Sequence, residues 1–230
     1  MNNLKTLLAT TILATSFSTA ALSQISVGIS AAYGQMEAEG TETNVTAKAK
    51  KSGDANFPFA SIFAEYNVVV DKSWSMILGL DYIPISTEIE DSSKADTNLS
   101  GGGAGSGSNL STTGTKKAKL ELENHATLYL QPTYSLGGGL SVFGKVGYSH
   151  ADLQVTSSNT STSSTLNKKD DLEGYLVGFG VQKNINKNTF VRFEANYTDY
   201  DTVTYTDTNN TKFTAEPELY SAKISIGYSF

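Results

Sequence analysis

From residue 219 to the final Phe230 the sequence alternates apolar and polar, one residue at a time. Tyr220, Ala222, Ile224, Ile226, Tyr228 and Phe230 share one parity. Leu219, Ser221, Lys223, Ser225, Gly227 and Ser229 share the other. Successive side chains of a β-strand point to opposite faces, so a period of two builds a strand with two unlike faces. The first face carries no charge. The second carries a lysine among small residues. This pattern limits the segment to a sheet that meets two different surroundings.

The alternation recurs in seven further segments: 25–35, 57–69, 74–85, 119–134, 140–155, 172–182 and 189–200. In 25–35 Val27, Ile29, Ala31 and Tyr33 oppose Ser26, Gly28 and Ser30. In 74–85 Trp74, Met76, Leu78, Leu80 and Tyr82 oppose Ser75, Ile77, Gly79 and Asp81. In 119–134 Leu120, Leu122, Ala126, Leu128 and Leu130 oppose Glu121, Glu123, His125, Thr127 and Tyr129. In 189–200 Val191, Phe193, Ala195 and Tyr197 oppose Arg192, Glu194 and Asn196. The parity of 140–155 looks broken near His150 to Asp152, which points to a bulge or to the membrane edge there. Three connections, 70–73, 135–139 and 185–188, are short and rich in turn residues. Four others, 36–56, 86–118, 156–171 and 201–218, are long and polar. The expected fold is all-β: an eight-stranded antiparallel up-and-down transmembrane barrel with four long outer loops and three short periplasmic turns. A soluble barrel of lipocalin type would turn its polar parity outward and its apolar parity inward; the reverse is expected here.

The amino terminus has one lysine, Lys5, then a modest apolar run, then small residues ending at Ala21-Leu22-Ser23. That layout predicts a secretory signal peptide over 1–23, leaving 24–230 as the barrel. No other stretch has the roughly 18 to 20 apolar residues that a spanning helix needs, whereas a barrel strand spans with about 9 to 11. The chain has no cysteine, which excludes disulfides, thiol catalysis and cysteine-ligated metals. Without 1–23 it carries 16 Lys and Arg against 23 Asp and Glu, a net charge of −7. An acidic chain argues against a nucleic-acid partner. The aromatic residues Tyr66, Trp74, Tyr82, Tyr134, Tyr148, Tyr175, Tyr197, Tyr200, Tyr220, Tyr228 and Phe230 lie mostly near strand ends, where they suit interfacial girdles.

The inner parity gathers Glu65, Asp81, Glu121, Glu123, His125, Lys145, Arg192, Glu194 and Lys223. An eight-stranded barrel is just wide enough to be filled by side chains. Charges inside must pair to offset desolvation. The expected arrangement is a structural ion-pair network of Glu65, Asp81, Glu121, Glu123, Lys145, Arg192, Glu194 and Lys223. In it Lys145, Arg192 and Lys223 bridge carboxylates of neighbouring strands, with no wide channel. His125 and His150 are the two histidines. Ser149 and His150 are adjacent, so they face opposite ways and cannot form a dyad. His125, between Glu123 and Thr127, could be oriented by a carboxylate, but no serine is placed near it by spacing. No catalytic, cofactor or metal site is therefore expected. The Gly/Ser tract at 100–108 lacks the Gly-Lys-Ser/Thr of a phosphate loop and reads as solvated surface. Asp170, Asp171 and Glu173 form a candidate divalent-cation cluster at a loop base.

The stretches Gly144-Lys-Val-Gly-Tyr-Ser-His-Ala151, Gly174-Tyr-Leu-Val-Gly-Phe-Gly-Val181, Val191-Arg-Phe-Glu-Ala-Asn-Tyr-Thr-Asp-Tyr200 and Lys223-Ile-Ser-Ile-Gly-Tyr-Ser-Phe230 resemble strands five to eight of a known family. It is the family of small eight-stranded bacterial outer-membrane barrels: the OmpA transmembrane domain, the OmpX/Ail type and the opacity-like surface proteins. The resemblance implies a place in the outer membrane of a Gram-negative bacterium. It also implies that Tyr228 and Phe230 form the C-terminal signal read by the barrel-assembly machinery. It implies partners in outer-membrane lipid and lipopolysaccharide, a monomeric state, and host, phage or other surface ligands met through acidic outer loops. The expected function is a non-enzymatic surface protein serving envelope integrity or adhesion. The alternatives are a narrow porin-like channel for small solutes and, further off, a lipid A-modifying barrel enzyme. No periplasmic domain is expected after the last strand.

Overall fold

The computed structural model describes residues 24–43, 48–99, 111–159, 164–206 and 212–230. The expected signal peptide, the Gly/Ser tract and the tips of the long connections lie outside these residues. The described chain is all strand and turn: β1 (Ile25–Thr43), β2 (Lys48–Val69), β3 (Trp74–Tyr82), β4 (Thr87–Leu99), β5 (Ser111–Gly137), β6 (Leu140–Asn159), β7 (Ser164–Asn184), β8 (Thr189–Tyr200), β9 (Val203–Thr206) and β10 (Lys212–Ser229). Eight of them form a ring in the order β1-β2-β3-β5-β6-β7-β8-β10, and β10 pairs back onto β1. That last ladder is antiparallel and runs from Ser26↔Ser229 to Thr43↔Lys212. The Ser26 and Ser229 hydroxyls meet at 2.8 Å across it, and those of Ser30 and Ser225 at 2.9 Å. Within this eight-stranded ring closure leaves no sheet edge, the condition for a sheet to cross lipid.

The barrel is apolar outside and polar inside. Tyr175 and Phe179 are 69% and 70% exposed, whereas Arg192 is 1% exposed. Water would make that outer face very costly; a bilayer makes it the favourable one. The belt is bounded by aromatics at both levels. Trp74 packs tilted against Tyr134 and Tyr228 edge-on against Phe230 at the level of the short turns; Tyr148 packs edge-on against Tyr175 and Tyr197 tilted against Tyr220 at the other. Tyr200, expected in the girdle, is instead buried in the lumen at 3% exposure. The short turns form where expected. The Asp71 carboxylate accepts from the amides of Ser73 and Trp74, and the Asn186 side chain accepts from those of Asn188 and Thr189. Gly137, Gly138 and Gly139 turn β5 into β6 with positive φ.

The strands run further than the alternation indicates. Residues 36–43, 48–56, 111–118, 156–159 and 212–218 continue as paired strand. Beyond the lipid the outer face has no need of apolar side chains, so the alternation fades while backbone pairing persists. The wall is nonetheless split there. The β2–β3 ladder ends at Ile62↔Tyr82, and Pro84, with no N–H to donate, separates β3 from β4. Among the described residues β4 pairs only with β5, and β9 only with β10. The β7–β8 ladder ends at Gly174↔Tyr200. Above the membrane the ring thus opens into two four-stranded leaves, β4-β5-β6-β7 and β2-β1-β10-β9. One seam lies between β2 and β4, the other between β7 and β9.

One face assignment is corrected. The β5–β6 pairing shifts register between Glu123 and Ala126, and Asn124 has φ 50°. The extra residue of this bulge reverses the parity of β5. His125, Thr127 and Tyr129 point inward, but so does Leu122, which is 1% exposed. Glu121 and Glu123 therefore lie on the outer face above the lipid and are not part of the interior network. The bulge belongs to β5. Facing it, β6 pairs with β7 without interruption through His150 and Asp152.

Candidate functional site

Three buried ion pairs fill the middle of the lumen. Arg192 of β8 donates from Nη1 to Glu65 Oε1 at 2.6 Å and from Nη2 to Oε2 at 2.9 Å. The second nitrogen also reaches Gln182 at 2.9 Å, and the Tyr129 hydroxyl donates to Glu65 at 2.5 Å. Rings of Phe63, Phe143 and Phe190 stand 5.1–5.4 Å from the guanidinium carbon. Lys145 of β6 donates to Glu194 at 2.6 Å, with its ammonium 4.2 Å from the Tyr129 ring centre. Lys223 of β10 donates to Asp81 at 3.1 Å and lies 3.9 Å from Glu194; Ser61 donates to the same Asp81 oxygen. Each charge is desolvated, so each needs its partner and further hydrogen bonds to be tolerated. A bidentate guanidinium–carboxylate pair is the strongest such arrangement.

These bonds differ from the expected pattern in one respect. Glu65 lies on β2 and Arg192 on β8, and Asp81 lies on β3 and Lys223 on β10, so these two bridges cross the lumen. Lys145 on β6 reaches Glu194 over the one strand between them, and only the longer Lys223–Glu194 contact joins neighbouring strands, β10 and β8, as expected. Tyr129 reaches Glu65 because Gly79 faces it: a Cβ at Gly79 would lie 2.3 Å from the tyrosine ring. The free space among Asp81, His125, Lys145, Glu194 and Lys223 is about 20 Å³, room for about one water.

His125 meets no carboxylate. Its Nε2 is 2.9 Å from the Tyr200 hydroxyl, and its Nδ1 has no protein partner. Ser149 is spent on a hydrogen bond with Thr127. No described residue gives His125 both a nucleophile and an orienting acid, the geometry that base catalysis needs first. His150 lies on the outer face, 3.9 Å from Glu173.

Above the ion pairs the lumen turns apolar, which the sequence reading did not foresee. Met36, Phe57, Leu122, Ala151, Leu172, Tyr200 and Leu219 form a buried cluster. Outside the leaf, Lys169 sits 2.9 Å from both Glu123 and Asp152. Burial pushes the Asp152 carboxyl up, but hydrogen bonds from Asn124 and Lys169 outweigh it and hold the group below its ordinary value. His150, Asp152 and Asp171 place ligand-type atoms within 4.8 Å of one another. The expected cation cluster does not form as such. Asp170 lines the space between the leaves, whereas Asp171 and Glu173 face outward.

A closed ring with a lipid-facing belt and a charged, filled lumen defines a transmembrane β-barrel of the bacterial outer membrane. The chain belongs to the outer membrane protein beta-barrel domain family, which matches residues 7–230. Among solved structures it is similar to the outer membrane protease OmpT from Escherichia coli, at TM-score 0.51 and 10% identity, covering 94% of this chain and 99% of that one. It is also similar to Ail, the attachment invasion locus protein of Yersinia pestis, at TM-score 0.44 and 14% identity, covering 90% and 99%. A third is OprG from Pseudomonas aeruginosa, at TM-score 0.45 and 14% identity, covering 88% and 96%. At these identities the likeness concerns the fold. No curated protein matches the sequence.

Proposed function

We propose that this chain is a non-enzymatic surface protein: a sealed barrel that holds two leaves outside the cell for contact with extracellular partners and contributes to envelope integrity. The observation that carries this reading is the set of buried lumen pairs Arg192–Glu65, Lys145–Glu194 and Lys223–Asp81. Together with the aromatic rings around them they fill the barrel's cross-section, leaving space for about one water. A solute passing through would have to separate desolvated charges. The leaves, by contrast, put most of the polar sequence where a surface partner meets it. His125, hydrogen-bonded to Tyr200 and, among the described residues, with no carboxylate to orient it, is consistent with the non-enzymatic part.

Conductance in planar bilayers tests the reading. The wild-type protein is expected to give no steady openings, and R192Q to give transient ones. Steady wild-type openings that change on K145Q would favour a narrow porin-like conductor instead. Lipid A whose mass changes on expression would favour an enzyme.

A further inference from the structure

The two leaves do not close on each other above the apolar cluster. Between them lies a cavity of about 450 Å³. Met36 and Ala38 of β1, Val203 of β9 and Pro217 of β10 wall it from one leaf; Leu120 of β5 and Leu153 of β6 wall it from the other. Below, Leu122, Leu172 and Leu219 form its floor, and the ion pairs lie beneath them. The inner faces of the leaves are thus apolar where the membrane barrel is charged. A polar mouth of a solute channel would call for the opposite order.

We infer that this cavity is a binding site for a small, uncharged apolar molecule, taken from outside the cell or through a seam. Four features point to that occupant. The volume lies within the roughly 300–1,000 Å³ of small-molecule sites. The walls are hydrogen-bonded sheets, so the site is formed in advance of binding and its ordering cost is low. Gly53 on β2 borders the cavity, and a Cβ built there would meet nothing within 4 Å: space that a side chain would fill is left open. Finally, neither seam is closed by backbone pairing among the described residues, which gives a molecule dissolved in the headgroup region a way in. Lys168 and Asp170 sit at the wall and limit how far a fully apolar ligand can spread. The floor has no passage, so the site holds its ligand rather than transmits it.

The probe is naphthalene, titrated into the full-length outer-membrane protein in lipid nanodiscs and followed by methyl NMR. The methyls of Met36, Leu120, Leu153 and Val203 are expected to shift saturably. G53W, which fills the cavity from a position with free space, is expected to weaken binding at least about tenfold. L153D, which puts a charge in the wall, should do the same by another route, whereas Q154L, on the opposite face, should bind as wild type. Retention of the heat-modifiable gel shift in each variant certifies the barrel. Shifts confined to the lipid-facing methyls of Leu128, Leu130 and Val146 would mean partition into the bilayer and would overturn the inference. So would saturable binding untouched by G53W and L153D, or exclusion of naphthalene because residues 44–47 or 207–211 of the chain already contact the cavity methyls. None of these outcomes bears on conductance, so this inference and the sealed-barrel reading fail separately.

Discussion

Glu65 accepts three hydrogen bonds at 5% exposure, two from Arg192 and one from Tyr129. Removing it strands a guanidinium in the lumen with, among the described residues, only Gln182 to bond. E65A is expected to destabilise the barrel by about 3–5 kcal/mol, the usual cost of breaking a buried pair from one side. Urea unfolding in lipid vesicles measures it. E121Q, by contrast, alters a half-buried, water-accessible partner of Lys119 on the outer face and should leave the unfolding midpoint nearly where it is. Equal effects would mean that Glu65 is not isolated from water. The inner parity read from sequence contains Glu65, Asp81, Lys145, Arg192, Glu194 and Lys223 because a strict period of two places each on a definite face. Which charge meets which was not legible. That choice depends on the curvature of a closed ring, which brings β2 to β8 and β3 to β10, and no spacing along the chain encodes it.

Strand β10 shows how strictly an element separates its two surroundings. Lys223 is paired with Asp81 in the lumen, while its neighbour Ile224 is 46% exposed on the lipid face between the aromatic levels of Tyr220 and Tyr228. I224K moves a lysine by one residue and from one solvent to the other. It is expected to cost about 2–4 kcal/mol near the bilayer midplane, read as a shifted unfolding midpoint and slower folding into vesicles. A cost no larger than that of a polar substitution at the rim would argue that Ile224 does not face lipid. Alternation made β10 legible to its last residue. It failed on β5, where Leu120, Leu122, Leu128 and Leu130 share one parity in sequence but not in space. Asn124 was the available signal, since Asn adopts positive φ more readily than most residues, but a single Asn gives no sign of its backbone angles. Tyr200 departs from the girdle for a different reason: β8 alternates unbroken to its end, and that same alternation puts Tyr200 on the inner face, opposite the face of Tyr197.

Over the whole molecule, one ring becomes two leaves at the height where lipid ends. Within the membrane each strand has a neighbour on both sides, as a bilayer without hydrogen-bonding solvent requires. Above it water can satisfy a free edge, so the ring can open at Pro84 and at Asp201-Thr202 without the cost that the same break would carry in lipid. The apolar sides of the leaves then face each other because each covers part of the other's surface. Protection from amide exchange follows directly. Residues 36–43 of β1 pair with both β2 and β10, so their amides are expected to exchange slowly, as in the membrane ring. Among the described residues, 48–61 of β2 pair with β1 alone, and β4 with β5 alone. Every second amide along those two strands points into the seam and is expected to exchange faster by orders of magnitude, at rates approaching those of local opening. Hydrogen exchange of the protein in nanodiscs, resolved by residue, would show a two-residue period along 48–61 and along β4. Uniform protection there would mean that β2 and β4 pair in solution, that the ring continues to the strand tips, and that the space between the leaves has no lateral entrance.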